Sequence, residues 1–252
     1  MEIKKTTLEA KRNASGSVSL WLFDLDNTLF DSTASVFPEI HKRMATFISE
    51  RLHMDFEKAA ALQHAYWREF GATFLGLERL HGIDPEEFFY KTHTFDLESV
   101  IRPILGKARL REILTHLQGR KVILTNGPYA YAERVIKFLH VEDCFEEIIS
   151  PELMRIPGAW RCKPQRDAIA FALARAKGLA GETALVDDGL SNLKSAKALG
   201  LKTVWCIGHK KRGFAGKPTY VDCTVRDVSE LAKITLSRKP VKEEPQSHVE
   251  NR

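Results

Sequence analysis

Three short apolar segments of this 252-residue chain each end in polar side chains that can act on phosphate groups. Asp24 and Asp26 follow VSLWLF, Thr125 and Asn126 follow KVIL, and Asp187 and Asp188 follow TALV. In open parallel α/β sheets the active site lies at the carboxyl ends of the strands. If the apolar segments are strands of one sheet, these polar residues gather at one edge, which indicates an enzyme.

A site rich in carboxylates suits the hydrolysis of a phosphate monoester. The ester is a doubly charged anion, and magnesium held by carboxylate oxygens neutralises and orients both reactants. One carboxylate can then attack phosphorus and form an aspartyl-phosphate, while a second protonates the leaving alkoxide and later activates water. Lys163, Thr125 and backbone N–H groups at helix starts offer donors for the phosphoryl oxygens. Burying Asp24 and Asp26 after an apolar strand is costly without a metal.

The pattern of apolar residues predicts the elements that position these groups. Residues 18–23 are apolar without alternation, as in the buried strands of parallel sheets. After Gly106 helices and strands alternate, which predicts an α/β fold: a Rossmann-like parallel sheet with helices on both faces. The predicted strands are residues 121–124, 147–149, 183–186 and 202–205, and the predicted helices are residues 109–117, 129–139, 165–177 and 192–199.

The segment between the first strand and this alternation has a different character. Residues 33–105 show helical spacing throughout, with helix starts at Asp55 and at Asp84-Pro85, and no convincing strand. They are expected to form an all-helical cap inserted into a core made of residues 18–32 and 106–236. Residues 1–17 and 237–252 hold few large apolar groups, and we expect both tails to be disordered.

Composition excludes several classes of protein. The net charge is +5, but the basic residues are spread along the chain without an aromatic-interleaved stripe, which argues against nucleic-acid binding. No apolar segment is long enough to span a membrane, and no secretory signal is apparent, so a cytoplasmic location is expected. The four cysteines form no CxxC pair, which argues against a zinc site or disulfides. A monomer and a homodimer both remain open.

The motifs resemble those of the haloacid dehalogenase (HAD) superfamily. FDLDNTLF is similar to its first motif, DxDx[TV]; Thr125 matches the second, Lys163 with Pro164 the third, and the pair Asp187-Asp188 the fourth. The resemblance covers residues 18 to about 236. Four motifs in the right order are far more specific than DxDxT alone.

This resemblance implies a role for each motif residue. Asp24 is expected to be the nucleophile and a magnesium ligand, and Asp26 the acid/base, which would bind the metal through its backbone carbonyl. Thr125 and Lys163, with Asn126, are expected to hold the phosphoryl group. The resemblance also makes Asp188 a direct metal ligand and places Asp187 in the outer shell. The sequence departs from the family's pattern at two positions. Gly189 follows the acid pair where the family often has a serine, and the next helix brings Asn192 but no further aspartate.

A narrower resemblance concerns the substrate. WLFDLDNTLF, YWREFGATFLGL and DDGLSNLKSAKALGLKTVW together look like the pyrimidine 5'-nucleotidase group, which implies UMP or CMP as substrate. In the cap, this resemblance points to Tyr66, Trp67 and Arg68 and to the glycine-bounded segment 71–77. The alternative for the aromatic residues is simple packing within the cap.

Other functions remain as alternatives. A HAD phosphatase for phosphoglycolate or a sugar phosphate would share every motif, because fold and motifs do not define the substrate. A haloacid dehalogenase is disfavoured because dehalogenases usually lack the second acid of the first motif, which is Asp26 here. A non-catalytic binding protein is disfavoured because no motif residue is missing.

Overall fold

A computed structural model describes residues 18–208 and 216–234. The two tails predicted to be disordered, residues 1–17 and 237–252, lie outside the described residues. In the described residues, six parallel strands form one sheet in the order β3-β2-β1-β4-β5-β6. The strands are β1 (Leu20–Phe23), β2 (Arg120–Leu124), β3 (Ile148–Ile149), β4 (Thr183–Asp187), β5 (Lys202–Cys206) and β6 (Cys223–Val225).

Strand β1 lies at the centre of the sheet, and its register explains why the polar residues meet. Phe23 pairs with Ile123 of β2 on one side and with Val186 of β4 on the other. All four residues of β1 are buried, as expected of a strand covered on both faces. Since the three strands end side by side, the residues that follow them emerge at one edge of the sheet.

Helices cover both faces of the sheet, which confirms the predicted α/β architecture. Trp21 and Phe23 face one core, packed by helices α6 and α7, whereas Leu20 and Leu22 face the other, packed by α9 and α10. The helices are α1 (Phe37–Leu52), α2 (Phe56–Phe70), α3 (Thr73–His81), α4 (Pro85–His93), α5 (Leu97–Val100), α6 (Lys107–His116), α7 (Tyr129–Leu139), α8 (Pro151–Met154), α9 (Arg166–Arg175) and α10 (Leu190–Ala198). None of the helices described is long and apolar enough to cross a membrane.

Helices α1 to α4 follow β1 and enclose an apolar cluster of their own. Its members include Phe47, Phe74 and Phe88, and two residues from the chain after β3, Trp160 and Cys162, also belong to it. No strand occurs between Phe37 and Val100, as the sequence pattern predicts. We refer to α1–α4 as the helical insertion.

Two local features differ from the sequence-based expectation. Strand β6 is absent from the predicted elements, because it has three residues and only Val225 is fully buried, so it leaves no apolar run in the sequence. Asp55 precedes α2 as predicted, but its side chain makes no capping hydrogen bond and instead pairs with Lys58 at 3.1 Å. Asp84 does cap α4, accepting a hydrogen bond from the Glu86 N–H at 3.1 Å.

A buried histidine makes the stability of the fold dependent on pH. Burial lowers the pKa of His93 from 6.5 to about 3. Between these values the unfolded chain binds the proton and the folded protein does not. The contribution of the neutral His93 to stability is therefore fully present above pH 6.5 and is lost as the pH decreases towards 3. His93→Phe keeps an aromatic ring beside Phe89 and Tyr131 but has no group that titrates. Between pH 7 and pH 4, the free energy of unfolding of this variant should fall by about 3 kcal/mol less than that of the wild-type protein. Urea titrations at both pH values measure this difference, and identical pH dependences for the two proteins would contradict it.

Candidate active site

A buried lysine joins the ends of β1 and β4. Lys163 Nζ donates to Asp24 Oδ1 at 2.6 Å and to Asp187 Oδ2 at 2.8 Å. Asp24 extends the ladder of β1, since its N–H donates to the Val186 carbonyl at 2.9 Å. The three charged side chains are almost inaccessible to solvent, with Lys163 only 1% exposed. The sequence-predicted residues Asp24, Lys163 and Asp187 therefore do meet in space.

The electrostatics of this cluster show an excess of negative charge. Burial, and then repulsion from Asp187 and Asp188, raise the pKa of Asp24 well above its usual value, although Lys163 opposes them. Burial also raises the pKa of Asp187, again against the lysine. For Lys163 burial favours the neutral amine, but Asp187 and Asp24 outweigh it and raise its pKa. One lysine thus stabilises but does not balance the acids around it.

Asp187 is fixed by donors on both of its oxygens. Its Oδ1 accepts from the Gly189 N–H at 2.7 Å and from Asn192 Nδ2 at 2.9 Å, and its Oδ2 accepts from Lys163. Gly189 lacks the side chain that often follows the acid pair, and a Cβ there would lie 2.8 Å from Asn192 Nδ2. With so many donors around it, Asp187 is suited to the supporting position that the motif resemblance implies.

The donor set fits a hard divalent cation. Oxygen atoms of Asp24, Asp187 and Asp188 all lie within 4.8 Å of one another. Oxygen donors alone favour magnesium over zinc. A bound cation would offset the excess negative charge of the cluster. Asp188 is held from behind, because its carbonyl accepts from the Trp205 indole N–H at 3.0 Å.

Asp26 lies on a tight turn next to this cluster. Its Oδ1 accepts hydrogen bonds from Ser32 Oγ at 2.6 Å and from Tyr131 OH at 2.7 Å. Burial raises the pKa of Asp26, and the two donors act in the opposite direction. The turn places Asn27 at a φ of 58°, a left-handed conformation that asparagine tolerates, and Asn27 Oδ1 accepts from the Thr33 N–H at 2.9 Å. The sequence analysis missed both donors. Ser32 lies only six residues after Asp26, just beyond the first motif, whereas no local pattern identifies the contact of Tyr131 across 105 residues.

The residues after β2 hold the loop that carries the lysine. Asn126 Nδ2 donates to the Lys163 carbonyl at 2.8 Å, and the Lys163 N–H donates to Asn126 Oδ1 at 2.9 Å. Thr125 is buried, and its hydroxyl accepts from the Gly127 N–H at 2.9 Å. The Asn126 amide thus positions Lys163, and its predicted contact with substrate stays a prediction.

The predicted cap residues separate into an interior and a surface group. Tyr66 is buried in the insertion, bonded to His81 Nε2 at 2.6 Å, and a Cβ on Gly76 would lie 2.4 Å from its ring. Gly76, in the glycine-bounded segment 71–77, therefore permits close packing inside the insertion. Trp67 is 60% exposed, and Arg68 is exposed beside it.

The end of α2 contacts the lysine loop directly. Gly71 ends the helix at a φ of 87°, and a Cβ there would lie 2.6 Å from Pro164 Cδ and 3.4 Å from the Lys163 carbonyl oxygen. On the other side of Lys163, Trp160 packs edge-on against Phe74 and Phe89, with ring centroids 6.0 and 5.8 Å away. The loop is therefore attached to the helical insertion on both sides of Lys163.

The strand order and the helical segment inserted after β1 define a HAD-like α/β fold. The family model described as haloacid dehalogenase-like hydrolase matches residues 18–200, and the chain belongs to this family. A HAD phosphatase structure from Thermococcus onnurineus shares the fold, with a TM-score of 0.58 and 19% identity over 86% of this chain and 96% of that one.

Two curated relatives are more similar in sequence. Phosphate metabolism protein 8 of Saccharomyces cerevisiae is 28% identical over 196 residues, which are 72% of this chain but only 59% of the yeast protein. Glyceraldehyde 3-phosphate phosphatase of Pyrococcus abyssi is 27% identical over 210 residues, 75% of this chain and 81% of that protein.

Proposed function

We propose that this hydrolase is a magnesium-dependent phosphomonoester phosphatase in which Asp24 is the nucleophile and Asp26 the acid/base. The family contains both dehalogenases and phosphatases, and the observation that carries the choice is Asp26. Its carboxyl lies beside the Asp24–Lys163 cluster and is held by Ser32 and Tyr131. A phosphatase needs this second acid to protonate the leaving alkoxide. The Pyrococcus abyssi relative, a glyceraldehyde 3-phosphate phosphatase, points in the same direction.

The residues divide the reaction into two displacements. Asp24 attacks phosphorus, the P–O ester bond breaks, and the leaving oxygen takes a proton from Asp26. Asp26 then removes a proton from water, whose oxygen attacks the aspartyl-phosphate and releases inorganic phosphate and Asp24. Lys163 and Thr125 hold the phosphoryl oxygens, and Asn126 keeps Lys163 in place.

A magnesium ion would be held by Asp24 and Asp188, with the Asp26 carbonyl as a further ligand and Asp187 behind them. When bound, it supplies positive charge that lets an anionic nucleophile approach an anionic ester. Asp187 positions the lysine: its Oδ2 accepts a hydrogen bond from Lys163 Nζ at 2.8 Å, which holds the ammonium group beside Asp24. The protein therefore contributes a prearranged set of charges before any ligand binds.

For the substrate, we propose a pyrimidine nucleoside monophosphate, UMP or CMP. The core grips only the phosphoryl group, so selection of the leaving group falls to the helical insertion. Trp67 lies about one helical turn before Gly71, which contacts Pro164 next to Lys163. This spacing places Trp67 on the same side of α2 as Gly71, and we propose that its exposed ring stacks on the base. Tyr66 is bonded to His81 and packs inside the insertion, so Trp67 and Arg68 carry this proposal.

The second candidate substrate is a small sugar or triose phosphate, or phosphoglycolate. The similarity to the glyceraldehyde 3-phosphate phosphatase of Pyrococcus abyssi favours it. In that case Trp67 and Arg68 would form an ordinary surface of the helix, and the active site would need no partner for a base.

A substrate panel distinguishes the two candidates. We expect kcat/KM for UMP and CMP to exceed that for AMP, GMP, phosphoglycolate, glyceraldehyde 3-phosphate and glucose 6-phosphate, all with magnesium. Trp67→Ala should lower kcat/KM for UMP about tenfold, since stacking on a base is worth ~1–3 kcal/mol. Tyr90→Ala, which removes another exposed aromatic side chain of the insertion, is the matched control. A tenfold preference for a sugar phosphate or phosphoglycolate would refute the nucleotide assignment and leave the phosphatase assignment intact.

A further inference from the structure

The carboxyl of Asp26 is held by one of its two oxygens. Ser32 Oγ and Tyr131 OH both donate to Oδ1, at 2.6 and 2.7 Å. Within residues 18–208 and 216–234, no hydrogen bond to Oδ2 is found. The two oxygens of a side chain that acts on protons are therefore in different environments.

The direction of the Ser32 proton follows from its other contact. Ser32 is completely buried, and its Oγ accepts a hydrogen bond from the Asn27 N–H at 3.2 Å. With that N–H on its acceptor side, the hydroxyl proton points at Asp26 Oδ1. Ser32 is therefore a donor to Asp26 by the geometry of its turn.

The position of the Tyr131 hydroxyl is equally constrained. The residue is 2% exposed, and its ring packs edge-on against His93 at 5.3 Å between centroids. A Cβ on Gly127 would lie 3.0 Å from the same ring, so only glycine fits there without displacing it. The phenol reaches Asp26 from a rigid setting on α7.

We propose that Ser32 and Tyr131 are positioning residues that hold Asp26 Oδ1, so that Oδ2 is the oxygen that exchanges protons with the leaving group and with water. This inference rests on the proposed phosphatase function. In the first displacement, the electron pair of the broken P–O bond stays on the ester oxygen, which takes the proton from Oδ2. In the second, Oδ2 takes a proton from the water that attacks phosphorus.

The reason for two donors on one oxygen lies in the torsion of the side chain. The terminal torsion of an aspartate is broad and nearly two-fold, so its oxygens exchange places unless contacts distinguish them. Donors on Oδ1 keep the carboxyl plane fixed and Oδ2 facing the reacting atoms. Without them, the acid spends part of its time in orientations that do not reach the leaving oxygen, which lowers the rate of proton transfer.

The test uses two phosphate esters that differ in their need for an acid. Tyr131→Phe and Ser32→Ala should each lower kcat/KM about 10- to 100-fold for the preferred alkyl phosphate of the substrate panel. For 2,4-dinitrophenyl phosphate, whose leaving group departs as a stable anion, the loss should stay below about 3-fold. The ratio kcat/KM reports only steps up to the departure of the leaving group, which isolates the first displacement. Ser32→Thr, which keeps a hydroxyl, should restore most of the activity, and Tyr90→Phe is the control for loss of an exposed phenol.

The outcomes separate this inference from the proposed function. Equal losses on both esters would mean a general structural role and overturn it, as would normal activity of both variants on the alkyl ester. Thermal melting checks that each variant folds, and if Tyr131→Phe does not, the Ser32→Ala and Ser32→Thr pair decides. If the wild-type protein hydrolyses neither ester, the proposed function itself fails, and the inference with it.

Discussion

Replacing Asp24 with asparagine is expected to lower phosphatase turnover by ~10³-fold or more, because the amide removes both the attacking charge and a metal ligand. The change is nearly isosteric, and Lys163 keeps its hydrogen bond to Asp187. Steady-state release of phosphate, measured with the best substrate and saturating magnesium, gives the effect directly. A variant that retained a tenth of the wild-type turnover would exclude Asp24 as the nucleophile.

The stability of the same variant provides a second readout. Because burial raises the pKa of Asp24, its ionised form is less favourable in the folded protein than in the unfolded chain near neutral pH. Removing that charge should therefore leave the melting temperature of the metal-free protein unchanged or higher. Asp143→Asn is the matched control, since Asp143 pairs with Arg111 on the surface and precedes β3, away from the carboxyl ends of the strands. It should keep wild-type activity.

Removing divalent metal is expected to abolish activity, and adding magnesium should restore it. Asp24, Asp187 and Asp188 bring carboxylate oxygens within 4.8 Å of one another, and their mutual repulsion contributes to the raised pKa of Asp24. A cation that relieves this repulsion should bind the folded protein selectively. Full turnover after exhaustive chelation would contradict the metal requirement.

Thermal melting tests the same site without an assay of catalysis. At a magnesium concentration about 100 times Kd, binding to the folded state adds about 2.7 kcal/mol of stability. We therefore expect magnesium to raise the melting temperature of the wild-type protein and to have much less effect on Asp188→Asn.

The central sheet was predictable because its signal is local. VSLWLF, KVIL and TALV are short apolar runs that end in polar residues, and this pattern is typical of buried parallel strands. Helix α7 begins and ends at the predicted residues, Tyr129 and Leu139. The rule that parallel strands present their carboxyl ends at one edge then brings Asp24 and Asp187 together from sequence alone.

Other parts of the site were not predictable from local patterns, since they depend on how distant segments pack. Tyr131 looks like one more apolar position of an amphipathic helix, and only the fold places its hydroxyl on Asp26. Asn126 is predicted to hold the phosphoryl group, and the sequence gives no sign that its amide also hydrogen-bonds to both backbone groups of Lys163. Gly76 belongs to the glycine-bounded segment of the cap resemblance, and only the fold shows that the Tyr66 ring packs against it.

The attachment of the lysine loop to the helical insertion has a consequence for how this enzyme evolves. Trp160 packs among the aromatic rings of the insertion, and Pro164 lies against Gly71, so the chain on both sides of Lys163 depends on the insertion for its position. A substitution in the insertion that improves the fit of a new leaving group also disturbs Lys163, which we propose holds the phosphoryl group. Selectivity and rate are therefore not independent traits here. Lineages that change substrate are expected to acquire compensating substitutions in residues 155–164 together with those in the insertion.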